Sequence, residues 1–375
     1  MMQAVVFKGK LQVEVEQRRI PKIEDAEDII VKVGYTALCG SELHVFRGDL
    51  PVKITDFIMG HEFTGEVVEA GSAVTTLRPG DKVITPFTVS CGKCFYCKQG
   101  YSSRCEKNLL FGSPQLDGGQ AQYCRVPLAD GCVVKAPPKI REHLLVLMAD
   151  IYPTGYFAAD NAFRGVQEEV HRQSVVLVVG CGPVGLCALV AALDYKPRHI
   201  IAIDSIGSRL EQAKRLGAEP WNYCADMDGL RTRVMELTDG RGADVAIEVV
   251  GHSDALEMCF SLLRPWGKIS SVGVHVGAIP WTGNQAFHKN LSIDMGRCPV
   301  RSKLEMISFT NGCQDWADVY TLFSGLFPQA LESFERHQDD LEFMAENIKP
   351  LSDAVKWYDE FNNMRVQKII FDASK

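Results

Sequence analysis

Residues 175–185, VVLVVGCGPVG, join an apolar run to a glycine-rich turn. A continuous run of valine and leucine is typical of a strand that is covered on both faces. The spacing G-x-G-x-x-G lets the chain turn tightly, approach a pyrophosphate and pack a helix on the strand. The stretch therefore predicts the first β-α unit of a dinucleotide-binding sheet. A tight turn without a nucleotide is the alternative. The turn contains Gly180, Gly182, Pro183, Val184 and Gly185.

The alternation of strands and helices continues after this turn. Apolar runs at 199–204, 244–251 and 267–274 predict further strands, and helices are expected at 208–216 and 253–263. Strands that alternate with helices imply a doubly wound parallel sheet, the Rossmann architecture.

Acidic and apolar residues at the ends of these strands predict how a dinucleotide would lie. Asp204 ends the second strand, where a carboxylate accepts hydrogen bonds from a ribose and repels a 2′-phosphate, so NAD is expected rather than NADP. Arg209 follows it and is a further candidate for cofactor binding. Ligands lie at the carboxyl edge of such sheets. Apolar residues at that edge can therefore contact a nicotinamide ring, but for each residue taken singly burial in the core of the sheet is nearly as good an explanation. The candidates to flank a nicotinamide ring are Val250, Val272, Gly273 and Val274.

The first 150 residues have a different pattern. Short apolar runs at 4–7, 11–15, 29–33, 63–71 and 79–84 are separated by glycine and proline. Such runs predict a partly closed β-barrel, with the first two forming a hairpin.

Four cysteines form the most specific motif of the chain. Cys91, Cys94, Cys97 and Cys105 have the spacing C-x2-C-x2-C-x7-C. Four thiolates this close can complete a tetrahedral shell around one structural zinc ion. An iron–sulfur cluster also takes four cysteines, but this spacing fits it less well.

Composition limits the classes of function. At 375 residues the chain is expected to form two domains, and its net charge of −7 argues against a nucleic-acid partner. The first residues lack a secretory signal pattern, and no apolar run reaches the ~18 residues of a membrane span. The 13 cysteines are an odd number and favour thiols and metal ligands over disulfides. We therefore expect a soluble cytoplasmic protein with no membrane partner.

A less conspicuous stretch, residues 39–44, contains a thiol, a hydroxyl and an imidazole within six residues. It contains Cys39, Ser41 and His44, and a Gly-His-Glu sequence follows at Gly60 to Glu62. Taken alone, a cysteine such as Cys39 is more often a small buried apolar residue than a metal ligand.

In combination, these motifs resemble the zinc-dependent medium-chain alcohol dehydrogenases along nearly the whole chain. The resemblance rests on the stretch from Cys39 to His44, on Gly60-His61-Glu62, on the cysteine quartet, on the glycine turn with Asp204, and on residues 289–291. It implies a GroES-like catalytic domain at 1–152, an NAD-binding Rossmann domain at 153–296, and a return segment at 297–375 that completes the catalytic domain.

The resemblance also implies a catalytic zinc ion, in addition to the structural one, held by Cys39, His61 and a third ligand. The sequence Thr154-Gly155-Tyr156 fixes the register and places Asp150 at the third position, where helix capping is its alternative role. Such a set leaves one coordination position for water or substrate.

Further roles follow from the same resemblance. Glu62 would orient a ligand or exchange onto the metal, and Ser41 would hydrogen-bond the substrate alcohol. His44 would release the proton to solvent, Thr154 would touch the nicotinamide, and Phe87 would line the substrate pocket.

The expected function is hydride transfer between an alcohol, or its aldehyde or ketone, and NAD, in a homodimer or homotetramer. Threonine-, sorbitol- and formaldehyde-dehydrogenase-like specificities stay open, as does a non-catalytic NAD-binding sensor. Residues 303–325 depart from the family pattern as an apparent insertion. They are either an extra surface loop or helix or a wrongly assigned coding segment.

Overall fold

The computed structural model of this chain describes residues 1–50, 52–300 and 326–375. It divides into two units: the described parts of Met1–Asp150 and Pro299–Lys375 form the first, and Ile151–Cys298 forms the second. The apparent insertion at 303–325 lies outside the described residues. The domain limits given above stay a prediction.

The first unit begins as a β structure with short helices. The first two strands pair antiparallel, with Val5 opposite Val15, as predicted for the hairpin. The elements up to residue 150 are β1 (Met2–Gly9), β2 (Gln12–Arg18), β3 (Ile29–Leu38), α1 (Gly40–Arg47), β4 (Glu62–Ala70), β5 (Lys82–Thr85), α2 (Phe95–Lys98), β6 (Tyr123–Val126), α3 (Ala129–Cys132) and β7 (Val134–Lys135), with 3-10 helices at Ser102–Arg104 and Glu142–Ala149.

The second unit is a six-stranded sheet with helices between its strands, and the predicted doubly wound sheet is confirmed. All strand pairs are parallel and the order is β10-β9-β8-β11-β12-β13. The order reverses between β8 and β11, where such sheets bind ligands at their carboxyl ends. The elements are α4 (Ile151–Phe163), α5 (Glu168–His171), β8 (Val175–Val179), α6 (Pro183–Leu193), β9 (His199–Asp204), α7 (Gly207–Arg215), β10 (Glu219–Asn222), α8 (Met227–Leu237), β11 (Ala243–Glu248), α9 (Ser253–Leu262), β12 (Leu263–Ser271), α10 (Gly283–Lys289) and β13 (Ser292–Met295).

The C-terminal residues return to the first unit. The last strand pairs antiparallel with β3, with Ile369 opposite Leu38, so it lies beside the strand that leads to Cys39. The sheet order is β14-β15-β3-β4-β5-β7, with β6 paired to β3. The elements are α11 (Leu326–His337), β14 (Ile348–Pro350), α12 (Ala354–Asn362) and β15 (Ile369–Asp372), with 3-10 helices at Glu342–Ala345 and Leu351–Asp353.

Burial of the strand residues accounts for the closing position of β15. Ile369, Ile370 and Phe371 are fully buried, and Ile369 and Phe371 join a core that also contains Val31 and Phe63. At about 25 cal/mol per Å² of apolar surface removed from water, such residues each contribute about 1.5–3 kcal/mol. None of the helices within the described ranges combines the length and apolarity needed to cross a bilayer.

Candidate active site

Three neighbouring elements of the first unit carry one cluster of possible metal ligands. Cys39 follows β3 and is the N-cap of α1. His61 and Glu62 lie at the start of β4, which pairs with β3 so that Glu62 is opposite Ala37. Asp150 ends the 3-10 helix Glu142–Ala149. Strand pairing therefore brings together residues that are far apart in sequence.

The ligand atoms of these four side chains converge. One sulfur, nitrogen or oxygen atom from each of Cys39, His61, Glu62 and Asp150 lies within 4.8 Å of the others, and all four residues are buried. His61 Nε2 is 3.1 Å from Asp150 Oδ2, which is 3.9 Å from Cys39 Sγ. The structure thus brings the three predicted zinc ligands and Glu62 to one place.

The donor set fits a zinc ion. Thiolate, imidazole and carboxylate are the ligands that catalytic zinc sites use. Glu62 Oε1 is buried and lacks a hydrogen-bond partner among the described residues, whereas its Oε2 accepts a bond of 2.5 Å from Lys368. A buried carboxylate oxygen without a partner is costly unless a cation or a donor reaches it.

Protons and a metal ion compete for this cluster. Burial alone would lower the pKa of His61, but the Glu42 charge and the hydrogen bond with Asp150 raise it well above its usual value. Burial and the charge of Glu62 raise the pKa of the Cys39 thiol. Because the ligands bind zinc as thiolate and neutral imidazole, metal entry displaces protons.

Ser41 lies beside the cluster. Its hydroxyl donates to Cys39 Sγ at 3.2 Å and is 3.4 Å from His61 Nε2. Phe87 presents its ring edge-on to His61, with 6.4 Å between ring centroids. His44 lies on α1 with its Nδ1 atom 3.4 Å from Asp49 Oδ2, and its side chain is 28% exposed. The roles predicted for these three residues stay predictions.

The cysteine quartet forms a second cluster in the same unit. Ligand atoms of Cys91, Cys94, Cys97 and Cys105 lie within 4.8 Å of one another. Backbone amides point at the sulfur atoms: Cys91 N donates to Cys105 Sγ at 3.2 Å. Hydrogen bonding from the backbone of Glu106 lowers the pKa of Cys94 to about 6. Four converging sulfurs with amide donors fit a closed structural zinc site.

In the second unit, the glycine-rich turn leaves no room for a side chain at Gly180 or Gly185. Gly180 has φ +93°, in the left-handed region, and a Cβ on Gly185 would lie 1.8 Å from the Gly180 carbonyl oxygen. Pro183 is the first residue of α6, and Gly182 is its N-cap. A close-fitting turn that leads into a helix N-terminus fits the pyrophosphate of a dinucleotide.

Asp204 lies at the end of β9 beside this turn. Its Oδ2 accepts a hydrogen bond from Cys181 N at 2.7 Å, and its Oδ1 accepts from Ser205 N and Ile206 N. Arg209 Nη1 is 3.6 Å from Asp204 Oδ2. The carboxylate is therefore fixed at the place where the sequence predicts ribose binding.

The candidates to flank a nicotinamide lie at the carboxyl ends of β11 and β12. A buried carboxylate, Glu248, accepts hydrogen bonds of 2.7 Å from the amides of Val250 and Gly251. A Cβ on Gly273 would lie 2.2 Å from Gly251 N, so the two loops touch there. Val250 and Val274 are exposed, Val272 is half-buried, and Thr154 is half-buried in the first turn of α4.

Sequence reasoning missed several polar residues that contact the metal ligands directly, as Glu42 and Lys368 do, or by way of Glu42, as Gln120 and Tyr358 do. Glu42 lies three residues after Cys39, and a carboxylate at the third position of a helix is a signal for a capping box. The structure contains that box. Lys368, Gln120 and Tyr358 gave no local signal, because their partners lie far away in sequence.

Comparison with known proteins agrees with this geometry. Residues 25–138 match the alcohol dehydrogenase GroES-like domain, and residues 183–317 match the zinc-binding dehydrogenase domain. The chain is 58% identical over 374 residues to zinc-type alcohol dehydrogenase B of Aspergillus flavus, covering 100% of this chain and 82% of the relative. It is 32% identical over 337 residues to formaldehyde dismutase of Pseudomonas putida, covering 80% of this chain and 82% of the relative.

Among solved structures, alcohol dehydrogenase TADH from Thermus sp. ATN1 superposes with a TM-score of 0.83 at 30% identity, covering 99% of both chains. The predicted combination of a GroES-like and a Rossmann-like domain is confirmed, and so are the alcohol oxidoreductase class and the zinc and NAD cofactors of the family. The chain belongs to the zinc-dependent medium-chain alcohol dehydrogenase family.

Proposed function

We propose that Cys39, His61 and Asp150 bind the catalytic zinc ion of an NAD-dependent alcohol dehydrogenase, with Glu62 as an exchangeable fourth group. The observation that carries this proposal is the convergence of a sulfur, a nitrogen and carboxylate oxygens within 4.8 Å in a buried cluster. Zinc supplies a Lewis acid that polarises the substrate oxygen, and NAD⁺ supplies the hydride acceptor. The cysteine quartet holds the second zinc ion, which is structural.

The residues of the chain itself move the proton. Ser41 lies beside the proposed metal ligands, within hydrogen-bonding distance of Cys39 Sγ and His61 Nε2. Its hydroxyl would accept the substrate proton and release its own toward solvent by way of His44, which is partly exposed. An imidazole suits this step because one ring nitrogen can accept a proton while the other donates one.

The second unit binds the dinucleotide. Gly180, Gly182 and Gly185 provide the turn for the pyrophosphate, and the Asp204 carboxylate receives the ribose hydroxyls. A carboxylate there repels a 2′-phosphate, which supports NAD over NADP even though Arg209 offsets part of the charge.

The substrate is a small alcohol or the matching aldehyde or ketone. Relatives carry names as different as formaldehyde dismutase and L-threonine 3-dehydrogenase, so the panel to be tested should include formaldehyde, threonine, a vicinal diol and simple alcohols. We place Phe87 in the substrate pocket, because its ring lies next to that of His61, with 6.4 Å between the ring centroids.

A homodimer is the assembly that the second unit supports best. β13 is the last strand of the sheet order, and all four of its residues are exposed. An exposed edge strand is a template for pairing with a second copy about a two-fold axis. Light scattering of the Ile293→Lys variant tests this pairing of two β13 strands. A variant that keeps the mass of a dimer would contradict the pairing. The 13 cysteines of the chain favour thiols and metal ligands over disulfides, in keeping with a cytoplasmic location.

The zinc assignment is tested with Cys39→Ser, using Cys124→Ser as the control because Cys124 is equally buried and lies outside both clusters. Reduction of NAD⁺ by the alcohol panel should fall to background in Cys39→Ser, while NAD binding persists. Cys124→Ser should keep its turnover. Alcohol-dependent turnover by a Cys39→Ser protein would contradict the proposal, and NAD binding by the wild type without any turnover would favour a sensor.

A further inference from the structure

The carboxylate of Glu42 contacts two of the three proposed ligands, Cys39 and His61. Glu42 is 5% exposed, and its Oε2 accepts a hydrogen bond from Cys39 N at 2.9 Å. Its Oε1 accepts from His61 N at 3.1 Å and lies 3.3 Å from His61 Nδ1. Because Nε2 faces Asp150 and Ser41, a proton on Nδ1 that is donated to Glu42 leaves the Nε2 lone pair for a metal.

Glu42 is held in turn by a buried amide. Gln120 Nε2 lies 3.4 Å from each carboxylate oxygen of Glu42 and 3.3 Å from the carbonyl oxygen of Ala37. Both neighbours can only accept hydrogen bonds, so the NH₂ group of the amide must face them. The amide oxygen of Gln120 is then left to accept a bond on its other side.

That bond comes from the return segment. The Tyr358 hydroxyl, on α12, donates to Gln120 Oε1 at 2.8 Å. Tyr358 is fully buried, and burial raises the pKa of its phenol well above the usual value. The hydroxyl therefore stays a donor, and it fixes which way the Gln120 amide points.

The glycine before His61 makes room for this arrangement. Gly60 has φ +99°, and a Cβ there would lie 2.5 Å from both the backbone nitrogen and Cγ of Gln120. The first residue of the Gly-His-Glu sequence is thus required by the packing of Gln120.

We propose that Gln120 and Tyr358 are positioning residues, which hold the Glu42 carboxylate against His61 Nδ1. They thereby favour the tautomer with its proton on Nδ1, which leaves the Nε2 lone pair for zinc. This inference rests on the proposed zinc site. It gives residues 326–375 a part in metal binding, although they supply none of the proposed ligands. Hydrogen-bond partners that orient metal ligands commonly contribute about 10–100-fold to metal affinity.

The test measures the rate at which a chelator removes zinc from the loaded enzyme. Tyr358→Phe keeps the ring and loses only the hydroxyl, and Gln120→Met keeps the length of the side chain and loses the amide. Each variant should release the zinc ion bound by Cys39, His61 and Asp150 about 10-fold faster than the wild type. The double variant should release it no faster than Gln120→Met alone, because the hydroxyl acts only through the amide.

Phe361→Leu is the matched control, since Phe361 is buried on the same helix and has no polar atom. It should lower the melting temperature without changing the zinc release rate. A Tyr358→Phe protein that releases zinc at the wild-type rate would overturn the inference, and so would fully additive effects in the double variant.

Cys39→Ser separates failure of this inference from failure of the zinc assignment. If that variant still binds two zinc ions, the proposed site is wrong. If it binds one, and Tyr358→Phe behaves as the wild type, only the positioning role is wrong.

Discussion

Replacing Lys368 by methionine should destabilise the first unit by about 3–5 kcal/mol, because removal of one partner leaves a buried charge uncompensated. Lys368 Nζ lies 2.5 Å from Glu62 Oε2, and both side chains are 0% exposed. The other oxygen of Glu62 lacks a hydrogen-bond partner within the described part of the chain. Lys368→Met thus leaves the Glu62 carboxylate buried without its ion-pair partner.

The assay is hydrogen exchange of the amides in β3 and β4, at equal zinc content. The slowest of these amides report the free energy of opening of the first unit, whereas a single unfolding curve would mix the two units. The double variant Lys368→Met/Glu62→Leu should recover most of the loss, because apolar residues often replace a buried ion pair at little cost.

Lys82→Met is the control for this prediction. Lys82 also forms a short ion pair, 2.7 Å to Glu142, but both side chains are 56% exposed, and exposed pairs contribute only about 0–1 kcal/mol. The reasoning is refuted if Lys368→Met costs no more than Lys82→Met, or if the double variant is as unstable as the single one.

Gly185→Ala should weaken NAD binding about 10-fold or more in a titration, since its Cβ would lie 1.8 Å from the Gly180 carbonyl oxygen and overpacking costs about 1–3 kcal/mol; unchanged affinity would contradict the assigned turn. Cys97→Ser should remove one zinc ion per chain and lower the stability of the first unit, as metal analysis and hydrogen exchange would report. Burial alone would raise the pKa of Asp130, but hydrogen bonds from residues 75–76 lower it to about 2. The stability that this carboxylate contributes is present above its unfolded pKa, about 3.9, and is lost as pH falls toward 2. Hydrogen exchange of the amides in β3 and β4 should therefore show the stabilities of wild type and Asp130→Asn converging over that range.

Local patterns were sufficient for most of the fold. The apolar run at 175–179 and the glycines that follow predicted β8, the turn and α6, because strand burial and turn geometry depend on neighbouring residues. The cysteine quartet likewise predicted its own cluster, since all four sulfurs come from one short loop region. In both cases the contacts are local, so spacing in the sequence carries the information.

The surroundings of the proposed catalytic zinc could be predicted only in part. Asp150 is predicted as the third zinc ligand only from the family resemblance, in which Thr154-Gly155-Tyr156 sets the alignment. No residue near Asp150 in the sequence indicates that it is a partner of Cys39. Lys368 contacts Glu62, 306 residues away in sequence, through the pairing of β15 with β3. Tyr358 contacts Gln120, 238 residues away, through the packing of α12. A buried lysine or tyrosine looks locally like any other, so only the fold identifies its partner.

The content of zinc in the wild type and in Asp150→Ala tests the central claim most directly, when measured by mass spectrometry of the native protein together with alcohol-dependent NAD⁺ reduction. We predict two zinc ions per chain in the wild type, one for each ligand cluster, and one zinc ion without measurable turnover in Asp150→Ala. An Asp150→Ala protein that keeps both zinc ions and oxidises alcohols at the wild-type rate would contradict the account.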